Sequence, residues 1–463
     1  MSSFYQKFDE FFRISARGST LRTEIRGGII TFLAMVYILV VNPLLLNGFH
    51  SEPITTYSLD QLFAATALSA IIACLLMGLY SRFPVALAPG MGVNIFLSET
   101  ICYGMGFTFE QGLLVVLISG ILFLVLTVTG FRMKILDSIP KSMKLAISAG
   151  IGFFIAMIGL YNSGIVQHGS PLTLGPLNDP GVLLALFCLV VTAIMWFKRW
   201  WFAVIGGLML TWIAGIIIGE MGVTSDLGLL PAWAPDTFVK TPDFTLFGAV
   251  FTKFTMFDGT LWASFIAAIV SLFVVDLFDT AGTLIGVGSQ AGLIDENGRI
   301  VDGEKALSAD AVATVTGAIC GTSTTTSFIE STTGIEVGAR TGLMPVVVAL
   351  LFAVALVFGG FFGTFTSACT VGALVLVGVM MIKNVKDIEW TDPVTCVMAF
   401  MTIFMMGLTG SITDGIAFGV FSYVIGMTVT GKAKEVSYII WILTAVFLIY
   451  FFITGIAIPN KWL

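Results

Sequence analysis

The 463-residue sequence is short of charge: Lys, Arg, Asp and Glu make up 11% of it, against 57% hydrophobic residues. A soluble domain is about a quarter charged. A chain of this size cannot hide so much apolar surface in soluble cores, so the excess faces lipid. Histidine is almost missing; His50 and His168 both stand beside loop residues, which argues against a histidine-built metal centre. The six cysteines, Cys74, Cys102, Cys188, Cys320, Cys369 and Cys396, form no C-x-x-C pair, and most lie in apolar runs, where cysteine behaves as a small buried hydrophobe. No G-x-S-x-G, H-E-x-x-H or Walker loop occurs, so an enzyme is not expected and no cofactor or metal is implied. No basic run suggests nucleic acid. The first 27 residues carry Lys7, Arg13, Arg17, Arg22 and Arg26 but lack the apolar core and cleavage site of a signal peptide. They read as a cytoplasmic amphipathic lead-in. Asp295-Glu296-Asn297-Gly298 fails the spacing of a calcium loop and reads as a surface turn.

What the chain has is apolar runs. About 20 such residues cross a bilayer as a helix, and runs of that kind fall near 28–46, 62–80, 84–102, 111–130, 143–162, 181–197, 202–219, 262–288, 306–320, 322–338, 344–366, 369–382, 394–410 and 413–430. A further stretch, 437–455, crosses, tilts or lies at the interface. With the N-terminus in the cytoplasm, every Lys and Arg except Lys240, Lys253 and Lys461 falls in the lead-in or an even-numbered loop, as the positive-inside rule requires. The linker 220–261 divides the chain into seven spans at 28–219 and seven at 262–430, leaving 431–463 as a C-terminal apolar segment. An odd number per half turns the halves over relative to each other, so likeness between them means an inverted repeat. Ala67-Leu68-Ser69-Ala70 in span 2 matches Ala306-Leu307-Ser308-Ala309 in span 9. Val40-Val41-Asn42-Pro43 in span 1 lines up with Val274-Val275-Asp276-Leu277 in span 8. The expected fold is an all-α polytopic membrane protein of about 14 transmembrane segments.

Two spans make poor membrane helices. Span 3 has Pro84, Pro89, Gly90 and Gly92 within nine residues, which breaks helix geometry. In span 10, nine of the twelve residues from Thr322 to Thr333 are Ser or Thr. Its first half favours extended chain; its second half can start a helix from a Ser or Thr cap. Each is third in its half, and breaks at matched positions are the sequence mark of a transporter's central site. Unpaired backbone there must line a cavity or bind something.

Acids complete the pattern. Asp276 and Asp279 in span 8 lie three apart, on one helix face, which Thr283 and Gly286 extend towards the cytoplasm. A charged Asp at mid-bilayer costs on the order of 3 kcal/mol, so both should face the protein interior. With Glu330 of span 10 they make three carboxyls, with no Lys or Arg in the same spans. Carboxyls crowded in a dry site cannot all ionise, and one of them can take up and release a proton. Asn94 of span 3 reads as a polar contact or a ligand. Asp414 reads as the N-cap of span 14.

These motifs resemble the AzgA-like adenine, guanine and hypoxanthine permeases of the nucleobase–ascorbate transporter superfamily. The resemblance covers essentially the whole chain and is carried by Thr31 to Ile38 with Asn42-Pro43, Pro84 to Asn94, Asp276 to Gly286, Gly321 to Glu330 and Gly338 to Leu343. Ile95 departs from it, standing where such proteins usually carry Ala. The resemblance implies two seven-span inverted repeats folded into a core domain (spans 1–4 and 8–11) and a gate domain (spans 5–7 and 12–14). It implies a purine base bound between spans 3 and 10 by Asp276 and Glu330, with Asn94 and Asp279 in support. Met91, Phe328, Ile329 and Ser331 are expected around that base. Asp279, Asp276 and Glu330 are the expected proton-coupling set. Proton symport, elevator movement of core against gate, a homodimer and the bacterial inner membrane follow from the same resemblance. Chemistry agrees with a purine: a carboxylate accepts from ring N–H groups, a protonated carboxyl can also donate, and main-chain N–H groups at a half-helix start suit a carbonyl oxygen. The alternatives are a carrier of the same fold for xanthine, uracil-type bases or an anion, and a channel.

Overall fold

Helices begin where a short polar side chain precedes an apolar run. Ser58 and Gln61 satisfy each other's main-chain N–H groups at one start, and Thr108 and Gln111 do the same at another, the reciprocal cap that closes two orphan donors at once. Asp179 and Asp392 each accept main-chain N–H groups of the turn they start, with Pro180 and Pro393 at the first helical position; a proline gives up nothing there, because that N–H has no helical partner. Asp414 is not a cap. Ser411 caps that helix by accepting from the Asp414 N–H at 3.2 Å, and Asp414 sits inside the first turn.

The computed structural model describes residues 3–48, 54–130, 134–135, 138–167, 172–235, 238–252, 262–293 and 303–452. His50, Arg132, His168, Lys253, the turn 295–298, Arg299 and Lys461 lie outside them. The helices in chain order are α1 (Ser3–Phe12), α2 (Leu21–Met35), α3 (Ile38–Asn47), α4 (Leu59–Leu75), α5 (Met91–Ile95), α6 (Phe109–Val128), α7 (Lys141–Asn162), α8 (Pro180–Phe197) and α9 (Ala203–Glu220). After the linker come α10 (Trp262–Gln290), α11 (Gly303–Cys320), α12 (Ser331–Glu336), α13 (Leu343–Leu356), α14 (Gly359–Phe362), α15 (Ser367–Ile382), α16 (Pro393–Thr409), α17 (Ile412–Val429) and α18 (Tyr438–Phe452). Wider π turns prolong α4 to Ser81 and α5 to Gly104. Short strands β1 (Leu87–Pro89), β2 (Val166–Gln167), β3 (Thr173–Leu174) and β4 (Thr325–Ser327) pair as β1 with β4 and β2 with β3.

Among the described residues, eight helical stretches are long and apolar enough to cross a membrane, the first running Leu21–Asn47, and four shorter apolar helices accompany them. Leu21 to Gly27 of the lead-in are already helix, continuous with the first of these stretches. Lipid-facing stripes are plain on the outer helices. On α8, Phe187, Val190, Ile194 and Phe197 recur at helical spacing and are 42–78% exposed, an apolar face that water would not tolerate at this extent. Helices α7, α8, α9, α15, α16 and α17 pack mainly on one another, and α2, α4, α6, α10, α11 and α13 form a second packed group. Small residues permit the close crossings: a Cβ on Gly207 of α9 or Gly372 of α15 would collide with the Thr192 side chain of α8, the way lipid-embedded helices gain contact without a hydrophobic drive between them.

One buried acid has a purely structural post. Glu24, in the first turn of α2, is fully buried. Its Oε1 accepts from the Arg340 N–H at 2.7 Å and its Oε2 from the Thr341 N–H at 3.3 Å, fastening the link between α12 and α13 to the start of α2. Arg17 reinforces the junction by donating to the Arg82 and Arg340 carbonyls at 2.8 and 3.1 Å. Replacing Glu24 with Ala strips two buried N–H groups of a charged acceptor. It should destabilise the protein by about 3 kcal/mol, read as a lowered melting temperature of the detergent-purified protein; an unchanged melting curve would remove Glu24 from this role.

Candidate functional site

The two proline- and threonine-rich breaks meet each other. β1 and β4 run antiparallel, with Leu87 opposite Ser327, Ala88 opposite Thr326 and Pro89 opposite Thr325. Phe328 N–H to the Ala86 carbonyl (3.0 Å) and Gly90 N–H to the Thr324 carbonyl (2.9 Å) extend the ladder at its two ends. This pairing satisfies backbone that no helix serves, which is what permits extended chain in the middle of a membrane protein. The Ser331 hydroxyl accepts from the Ala86 N–H at 3.0 Å, so this residue closes the ribbon. Each strand then passes into a short helix, β1 into α5 and β4 into α12.

Glu330 stands at the turn into α12 as its N-cap, in place of the expected Ser or Thr, and its side chain makes no capping bond. It is 2% exposed, and its Oε1 accepts a 2.6 Å hydrogen bond from the Tyr37 hydroxyl. Tyr37 sits at the step between α2 and α3, where the first span is interrupted. The N–H groups of Ser331, Thr332 and Thr333 already donate to the Phe328, Ile329 and Glu330 carbonyls at 3.0–3.2 Å. The α12 start therefore does not offer the open main-chain donors that the sequence suggested.

The span 8 acids both turn inward along α10. Asp276 is buried and its Oδ2 accepts from Thr314 of α11 at 3.2 Å. Asp279 Oδ2 accepts from Thr326 of β4 at 3.4 Å, and it lies 3.5 Å from where a Cβ on Gly90 would stand. The tight neighbour of such a Cβ is the Thr326 hydroxyl at 2.9 Å, so glycine at position 90 lets span 3 approach β4. Asp279 is also within electrostatic reach of Glu330 and of a fourth acid, Asp310. Asp310, on α11, is completely buried; its Oδ2 accepts from Thr280 at 3.0 Å and its Oδ1 from Ser327 at 3.1 Å. Sequence reasoning passed over it. The signal was there, a lone carboxyl in the apolar run 306–320, one residue beyond the motif matched to span 2.

Asn94, on α5, is fully buried. Its Oδ1 accepts from the Ser323 hydroxyl, while its Nδ2 has no acceptor among the described residues. Either orientation of the amide leaves one polar atom of this side chain for something else to meet. Asn42 donates to Thr66 at 2.7 Å and to Thr322 at 3.0 Å, holding α3 and α4 to the start of the span 10 break.

A cavity of 1260 Å³ opens between the two packed groups of helices. One wall carries Thr283, Ile329, Glu330 and Thr333; the other carries Ser148, Trp196, Val204 and Met380. Arg199, Trp200, Lys383 and Lys386 also line it. Of the residues expected to touch a ligand, Glu330 and Ile329 face this space. Asn94, Asp276, Asp279, Met91, Phe328 and Ser331 do not line it; they lie around the β1–β4 ribbon and α10. The arrangement is one buried carboxyl, Glu330, and one exposed carboxyl, Glu336, presented to an open chamber, with three further carboxyls and a bank of hydroxyls behind Glu330.

Known proteins place this architecture. The solved structure of the murine anion transporter Slc26a9 in its inward-facing state superposes with a TM-score of 0.62 at 12% identity, over 93% of this chain and 73% of that one. The transmembrane domain of the cyanobacterial bicarbonate transporter BicA superposes with a TM-score of 0.58 at 15% identity, over 90% and 97%. These likenesses establish a polytopic α-helical membrane fold. In sequence, the guanine/hypoxanthine permease PbuG of Bacillus subtilis is 41% identical over 95% of this chain and 98% of its own length. The adenine permease AdeQ of Escherichia coli is 34% identical over 94% of each. The permease family Xan_ur_permease matches residues 22–418. The chain is a multi-pass membrane protein, and it belongs to the Xan_ur_permease family of permeases.

Proposed function

We propose that this protein carries purine bases, guanine, hypoxanthine or adenine, into the cell by proton symport, within the AzgA-like branch of its family. The observation that carries the reading is the placement of Glu330: a buried carboxyl, held by Tyr37, at the face of a chamber between two packed groups of helices. A flat, polar, uncharged base offers ring N–H donors to that carboxylate. Asn94, whose amide lacks an acceptor among the described residues, and Asp276 of α10 stand behind the chamber wall in this structure; they bind the base as it moves inward past Glu330. Ile329 covers a ring face at the chamber wall, while Met91, Phe328 and Ser331 shape the site from the ribbon behind it. Asp279, Asp276 and Glu330 pass the coupling proton. Full-length relatives named for these bases support the substrate class.

The same proposal takes in the architecture: 14 spans as two inverted repeats, with the two packed groups of helices as core and gate. Supporting it, the sixth and thirteenth spans both open on an Asp-Pro cap, and the third and tenth both break into a strand and a short helix. With the N-terminus cytoplasmic in a bacterial inner membrane, the chamber faces inward. Transport then moves the core, carrying Glu330, against the gate, in a homodimer.

The test is uptake of radiolabelled hypoxanthine, guanine and adenine into a permease-deficient bacterial strain, with and without a protonophore, against unlabelled competitors. Saturable uptake that collapses with the protonophore is expected. Competition by xanthine or uracil and not by these bases would redirect the substrate assignment; insensitivity to the protonophore would end the symport assignment.

A further inference from the structure

A second, smaller concavity of 540 Å³ lies outside the chamber, bordered by Arg22, Ile25, Arg26 and Ile29 on α2 and by Trp201 across from them. We infer that it seats one anionic phospholipid, with the phosphate held by Arg22 and Arg26 and an acyl chain along Ile25, Ile29 and Trp201.

The pattern on α2 sorts into two stripes. Arg22 and Arg26 are four residues apart and so share a face, and Ile25 and Ile29 form the adjoining stripe by the same spacing. Both arginines are exposed, and among the described residues neither makes a hydrogen bond or ion pair. The nearest acid in the sequence, Glu24, points the other way and is consumed by the Arg340 and Thr341 N–H groups. Two guanidinium groups on one helix face, without a counter-ion among the described residues, offer forked donors that match phosphate oxygens. The isoleucines are each 40% exposed, and Trp201 is 51% exposed. Tryptophan beside basic residues is the side-chain set of the headgroup level of a bilayer, and a basic pocket between membrane helices is a recurring headgroup site.

Location gives the seat a consequence. Trp201 lies just before α9, in one packed group of helices, and Arg22 and Arg26 lie on α2 in the other. Ile30 and Trp201 border both the groove and the large chamber. A lipid here bridges the seam beside the chamber, and its charge requirement ties the relation of the two groups to the acidic lipid content of the membrane.

The experiment reads lipid rather than transport, so it stands apart from the substrate assignment. The full-length protein in detergent is offered equimolar phosphatidylglycerol and phosphatidylcholine, and retained lipid is counted by native mass spectrometry. One phosphatidylglycerol should be retained in preference. Arg22→Gln with Arg26→Gln should weaken it about 30-fold, from the loss of two cations near the membrane surface. Lys432→Gln with Lys434→Gln, an exposed basic pair elsewhere, should leave it unchanged. Ile25→Asn with Ile29→Asn should weaken the lipid while both charges remain, and inorganic phosphate alone should not displace it. No preference in the unaltered protein, equal loss in both basic-pair variants, or displacement by phosphate alone would each overturn the proposal. Should the double arginine variant fail to fold, the single variants and the lipid preference of the unaltered protein decide it.

Discussion

Glu330→Gln should cut purine uptake by about 100-fold or more while the protein still reaches the membrane. The side chains are nearly the same shape, so the Tyr37 hydroxyl, 2.6 Å from Oε1, can still donate to the amide oxygen and the turn into α12 stays closed. What changes is charge: glutamine cannot bind and release a proton and accepts from a base more weakly. Hydrogen bonds to a charged group contribute about 1.5–3 kcal/mol each, so two such bonds to a base edge amount to two or more orders of magnitude in affinity. Tyr37→Phe makes the contrast. It removes one hydrogen bond to the carboxylate and leaves the charge, so KM should rise about 10-fold with protein abundance unaffected. Labelled hypoxanthine uptake, normalised to membrane-inserted protein, measures both. Full uptake by Glu330→Gln would remove this residue from the centre of transport.

Much of the candidate site is legible in the sequence alone. Prolines, glycines and a threonine run marked spans 3 and 10 as broken because helix geometry rejects them, whatever surrounds them. Acids in apolar runs marked α10 and the α12 turn because lipid rejects charge. Those are local penalties, so a single sequence displays them. The pairing of β1 with β4 is not local: nothing in the chain states that Ala88 will lie opposite Thr326, some 240 residues away. Tyr37 was equally mute. An aromatic residue in an apolar run reads as packing, and the step between α2 and α3 occurs with no proline or glycine at Val36 or Tyr37. The cap position of α12 is held by Glu330 rather than by a hydroxyl residue, and the turn's N–H groups find main-chain carbonyls instead. The division of the helices into two packed groups was implied only by resemblance, because which lipid-compatible face meets which other is a question of shape.

Asp310→Ala should be as damaging to uptake as the loss of Glu330, by a different route. Asp310 reaches no chamber. Its two oxygens are taken by Thr280 of α10 and Ser327 of β4, so one carboxylate fixes the helix bearing Asp276 and Asp279 to the strand that leads into Glu330. Truncation leaves two buried hydroxyls without their acceptor, at about 1–3 kcal/mol each, and a void beside them. β4 has only three residues to hold its register, and a shift there displaces Glu330. Uptake should therefore fall by about 100-fold, with a lower melting temperature. Asp310→Asn keeps an oxygen for one of the two hydroxyls and should lose less, about 10-fold. Ser327→Ala and Thr280→Val each remove one of these bonds and should lose about 3–10-fold. The order Ala, then Asn, then the single hydroxyl variants is what a positioning carboxylate demands. A residue whose charge alone mattered would make Asn as poor as Ala, and equal transport by Asp310→Ala and the unaltered protein would show that the ribbon needs no anchor on α11.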